Sequence, residues 1–264
     1  MRLSSLLAAT LATAVFTLGG IAPVNAIAGT PQEATTELAE QGRTLSLRAT
    51  KAYLMAQQGI TPEASRRILT DSIARMDQNI ATLHARKLDD LARSKLAELD
   101  RIWGTVRAQL GASPNADGAR ALYDSSDALE RAHHHLSIAL NANAPEASRR
   151  LVLPSRLRAL SQRIALFYLY RASNLMTPHA PEVELIYARG EFPTNLSRVA
   201  KTDGLPTDAQ QAVAALSRLY PAYHASTGKL DAAPTMLKNA PAVMDMSEQV
   251  LVITEKLLAA LLAH

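Results

Sequence analysis

The chain has 264 residues and no cysteine, which excludes disulfide bonds, thiol nucleophiles and cysteine-ligated metals. Its 28 basic side chains against 24 acidic ones leave a net charge of +4, a mild balance that favours small anions, acidic partners or membrane headgroups over nucleic acid. Ala and Leu dominate, aromatic residues are scarce and apolar side chains recur at helical spacing, so an all-α fold is expected.

Arg2 precedes an apolar run from Leu6 to Val24 that ends in Val24-Asn25-Ala26, with small residues where signal peptidase reads them. Residues 1–26 therefore read as a signal peptide and the remainder as a periplasmic protein; an uncleaved N-terminal anchor is the other reading. Thr30-Pro31-Gln32-Glu33 has the form of a capping box with Pro at the first helical position, and Thr207-Asp208-Ala209-Gln210 repeats it. Thr61-Pro62-Glu63 and Ala144-Pro145-Glu146 open two more helices, with Gly59, Gly111, Gly204 and Gly228 as stops. Helices are expected over residues 31–58, 62–86, 88–110, 118–142, 147–176, 181–200, 207–227 and 234–263. Pro241 should kink the last of these or mark its true start. Glu255 and Lys256 interrupt the apolar run at its end, which is too short to span a bilayer.

Arg43-Thr44-Leu45-Ser46-Leu47-Arg48 recurs 115 residues later as Arg158-Ala159-Leu160-Ser161-Gln162-Arg163. Tyr53-Leu54 and Tyr168-Leu169 keep the same register, Thr61-Pro62 meets Thr177-Pro178, and Leu99 and Trp103 meet Leu216 and Tyr220. The chain thus reads as two tandem units, 27–143 and 144–264, each an up-down bundle of four helices. Residues 164–170 are apolar all round, so the second motif helix must be enclosed by its neighbours, with arginines at the margin of its packed face.

A partly buried arginine requires a counter-anion. Either a carboxylate from a neighbouring helix or a small oxyanion clamped by the planar guanidinium would supply it. Ser46 and Ser161 are placed to orient such a clamp, or to bond their own helix backbone. His133-His134-His135 point about 100° apart on a helix, so they read as a solvated or partner-facing patch and not as a metal site. Asp89-Asp90 read as solvated, and Trp103, Tyr220 and the methionines near 236–246 as core. No nucleophile elbow, cofactor motif or acid–base pair stands out, so no enzyme and no cofactor is expected.

The motif stretches, Ala39 to Arg48 and Pro154 to Arg163, resemble the N-terminal sensor domain of nitrate/nitrite sensor kinases and type IV pilus methyl-accepting chemotaxis transducers, the NarX-like or PilJ-type domain. In that family a helix reading roughly Ala-Gly-Arg-Gln-Arg-Met-Leu-Ser-Gln-Arg carries the motif. The resemblance implies an anion held between paired motif helices by the arginine before Leu-Ser, here Arg43 and Arg158. Arg48, Arg163, Arg156, Ser46 and Ser161 complete the candidate ligand-binding set. Two copies on one chain would supply both halves of the site as a pseudo-dimer. The chain departs from the pattern where Glu40 and Ser155 replace the family's glycine and Pro154 replaces its alanine. Glu40 stands at ion-pair spacing from Arg43, so Arg158 is the better clamp. The function implied is an extracytoplasmic nitrate- or nitrite-like sensing module acting through a membrane-bound signalling or pilus protein. The alternative is a duplicated helical scaffold whose arginines pair internally and bind no ligand.

Overall fold

The computed structural model describes residues 29–142 and 150–263. The expected signal peptide, the unit boundary at 143/144 and the helix start at Ala144-Pro145-Glu146 lie outside the described residues. Among these there are eight helices and no strand: α1 Pro31–Gln57, α2 Pro62–His84, α3 Asp90–Gly111, α4 Ala116–Asn141, α5 Val152–Ser173, α6 His179–Ala200, α7 Thr207–Gly228 and α8 Ala233–Leu262. The fold is an all-α bundle, and no helix of the described residues is long and apolar enough to cross a membrane.

Local chemistry sets most helix starts. Thr30 Oγ1 accepts from the Glu33 backbone N–H at 3.2 Å while Glu33 Oε2 accepts from that of Thr30 at 2.9 Å, closing the reciprocal box. The box expected at Thr207 does not form. Thr207 is already the first helical residue, and Gln210 turns outward to donate to the Leu205 carbonyl. Asp89, expected to be merely solvated, caps α3 by accepting from the Ala92 N–H at 2.8 Å. Pro241 does not begin α8, which runs through it from Ala233; Pro193 and Pro221 likewise sit inside α6 and α7. Each ring deletes one backbone hydrogen bond, and packing of the helix as a whole outweighs that loss.

Two motif-bearing helices form the centre. In the first half α1 packs on α2 and α4, and α3 packs on α4. In the second half α5 packs on α6 and α8, and α7 packs on α8. α1 and α5 also pack on each other. Consequently every residue of α1 from Glu33 to Met55 is buried, a far deeper enclosure than its polar composition suggests. Tyr53 and Tyr168, matched in the repeat, both reach the start of a following helix. The Tyr53 hydroxyl accepts from the Asn115 N–H at the start of α4, and that of Tyr168 donates to the Met236 carbonyl in the first turn of α8. Trp103 and Tyr220, also matched, donate to Asp77 on α2 and to the Arg189 carbonyl on α6.

Candidate functional site: a buried ion-pair network

Three of the four motif arginines are not at the margin of a packed face; the fourth, Arg163, is partly exposed beside a cleft. Arg43, Arg48 and Arg158 are buried, Arg158 completely, and each meets carboxylates from other helices. Arg43 lies 3.1 Å from Glu40 one turn earlier and 3.0 Å from Glu130 on α4. Arg158 pairs closely with Glu37 on α1 and lies 3.1 Å from Glu255 on α8.

The second arginine of each motif crosses between halves. Arg48 on α1 meets Glu248 on α8 at 2.9 Å and Asp71 on its own neighbour α2 at 2.7 Å. Arg163 on α5 pairs closely with Glu130 on α4 and lies 2.7 Å from Glu184 on its own neighbour α6. The two connections are reciprocal: each arginine bridges the second helix of its own half and the fourth helix of the other. Arg163 also stands over the Phe167 ring at 5.0 Å, and Arg156 forms a two-pronged pair with Glu191 at 2.8 and 2.9 Å.

Lys51 adds an unexpected cation. Its fully buried ammonium donates to Glu248 at 2.6 Å, Gln162 at 2.7 Å and Ser247 at 2.9 Å, so all three of its hydrogens have acceptors. Burial pushes its pKa down from the usual value and Glu248 opposes that shift. Burial raises the Glu248 carboxyl, but Lys51 and Arg48 outweigh it and hold the group at about 2. Glu130 behaves alike: burial raises it, and Arg163, Arg43 and Arg156 together bring it below the ordinary range. Glu37 goes the other way. Burial lifts it to about 7 against the pull of Arg158, with Glu255 and Glu40 adding to the rise.

The motif serines do not face a ligand. Ser46 Oγ donates to the Arg43 carbonyl at 2.8 Å and Ser161 Oγ to the Arg158 carbonyl at 2.7 Å, each tying off its own helix backbone. The three histidines are not one solvated patch. His134 and His135 are exposed, but His133 is fully buried with its ring against Gly42 and Nε2 3.2 Å from Met76 Sδ. Burial, assisted by Arg43, lowers its pKa to about 3, so it is neutral at physiological pH.

Arg43, Arg156 and Arg163 come together on Glu130 at the floor of a cleft of about 460 Å3 between α4 and α6. Arg158 and Arg48 do not line it; they belong to the opposite side of the α1–α5 pair, with Glu37, Glu255 and Glu248. Arg158 Nε and Nη2 and Arg43 Nε are buried without a hydrogen-bond partner. Apart from Glu40, the acids of the network and Lys51 were not legible in the motif. An Asp-x-x-Glu pair recurs as Asp127/Glu130 on α4 and Asp245/Glu248 on α8, a signal visible once the repeat is followed beyond the motif helix.

No family model, curated protein or solved structure matches the chain. The likeness to nitrate-sensor and pilus-transducer domains therefore rests on the motif residues alone.

Proposed function

We propose that the chain is an exported, non-catalytic helical module of two tandem four-helix units, joined as a pseudo-dimer by the Arg-x-Leu-Ser-x-Arg stretches, and that it serves as a scaffold or interaction component. One observation carries this reading: Arg48–Glu248 and Arg163–Glu130 are reciprocal pairs between the halves, formed by the same motif position in each copy. The guanidinium charges that a free oxyanion would need are already met by carboxylates. Burial makes these pairs an interlock, because breaking one strands its partner away from water.

A second reading is small-anion sensing of nitrate or nitrite for a membrane-bound partner, and the unpaired N–H groups of Arg158 and Arg43 favour it. Calorimetric titration and thermal melts of the wild-type protein with both anions separate the two. The interlock predicts no heat and an unchanged Tm up to millimolar anion, and a loss of about 3–5 kcal/mol of stability at pH 8 in Arg158→Met. A nitrate-dependent rise in Tm that Arg158→Met abolishes would replace it with the sensing reading.

A further inference from the structure

The cleft between α4 and α6 holds two sets of residues. Arg163, Glu130 and Glu184 belong to the cross-half network, and each has a counterpart doing the same work in the other half: Arg48, Glu248 and Asp71. The second set has no such counterpart. Arg131, Arg156, Val183 and Tyr187 stand where the aligned positions of the other half carry Gln249, Gln41, Arg67 and Asp71, in the register that sets Thr177-Pro178 on Thr61-Pro62. The interlock forms without these side chains in one half, so it does not account for them in the other.

Their chemistry is complementary. Tyr187 is 70% exposed and Val183 49%, an apolar wall of the kind that soluble surfaces rarely leave open beside a pocket. Opposite stand Arg131, held among the described residues only by an exposed pair with Asp127, and Arg156, whose Nε and Nη2 hold Glu191 while its Nη1, 3.7 Å from Glu130, lies outside hydrogen-bond range of that carboxylate. The exposed pair is worth little in water and yields readily to a better-placed anion. A volume of about 460 Å3 suits a small organic molecule.

We propose that this cleft binds a small organic acid bearing an aromatic or alkyl group, its carboxylate between Arg131 and Arg156 and its apolar part on Tyr187 and Val183. A guanidinium pair alone would accept any anion, and the wall alone any apolar solute; together they select a molecule with both features. Neither Tyr187 nor Arg131 takes part in the cross-half pairs, so either side chain can be replaced without breaking the interlock.

The test is calorimetric titration of the full chain with benzoate, benzyl alcohol, acetate and nitrate. Benzoate is expected to bind roughly tenfold more tightly than the other three, since each of them lacks one of the two contacts. Tyr187→Ala and Arg131→Gln should each weaken benzoate by roughly tenfold while leaving the ligand-free Tm unchanged, both side chains being largely exposed. Benzyl alcohol or nitrate binding as tightly as benzoate overturns the proposal. So does the absence of heat with all four probes, or unaltered benzoate affinity in both variants.

Discussion

Three buried side chains give the protein opposing responses to pH. Glu37 sits at about 7 when folded against an ordinary 4.5, so between those values the folded chain keeps a proton that the unfolded chain has released. Its contribution therefore falls as pH rises through that window, by up to about 1.4 kcal/mol per pH unit. His133 sits at about 3 against 6.5, so over that range the unfolded chain takes up a proton that the folded chain does not, and stability rises with pH. Glu248, held at about 2, contributes stability that is present above 4.5 and lost as pH falls towards 2. In the overlap of the first two windows Glu37 and His133 largely cancel. Urea midpoints at pH values across that overlap should rise more steeply with pH in Glu37→Gln than in wild type, and should fall with pH in His133→Leu. An unaltered slope in both variants would mean that neither group titrates as its surroundings dictate.

At the scale of the element, α1 is the unusual piece. Its exposed-looking composition is buried because carboxylates, hydroxyls and amides from α2, α4, α5 and α8 meet its polar side chains, as Asn79 meets Gln41 at 2.9 Å. The close approach of α4 depends on Gly42. A Cβ there would fall 2.0 Å from His133 Cε1, and the fully buried ring has nowhere to move. Gly42→Ala is expected to cost about 1–3 kcal/mol through overpacking. Combining it with His133→Ala should recover part of that loss, a coupling that a double-mutant cycle by chemical denaturation measures. Simple additivity of the two losses would show that the ring does not set this contact. The capping box of Thr30 and Glu33 and the stop at Gly59 gave the boundaries of α1 to within a residue, but its burial was illegible, since a helix with no clear apolar stripe ordinarily lies at the surface.

For the whole molecule, the consequence of the interlock is mechanical. The halves are joined by chain only through the segment between α4 and α5, yet α1 and α5 share buried pairs such as Arg158 with Glu37 and Lys51 with Gln162. Cutting the chain at a protease site inserted within 143–149 should leave the two fragments co-eluting as one species, even in high salt, because buried pairs are screened far less than surface ones. Fragments that separate at half size under native conditions would show that the motif helices do not hold the halves together. The repeat that suggests this arrangement was legible in the sequence. The reciprocal crossing of Arg48 and Arg163 was not, since each meets its acid only after both halves have folded.

The sequence by itself determined the helical class, the order of the helices and the recurrence of the motif, because spacing and helix-start chemistry act over a turn or two of chain. It placed most helix ends within two residues, but not those of α5, expected over 147–176 and found over Val152–Ser173. It also placed Glu40 against Arg43, three residues away on one helix face. Only the tertiary structure decided what answers the motif's charge. The acid for Arg43 comes from 87 residues along the chain, and that for Arg48 from 200. A guanidinium attracts any anion in reach, and packing alone decides which anions come within reach.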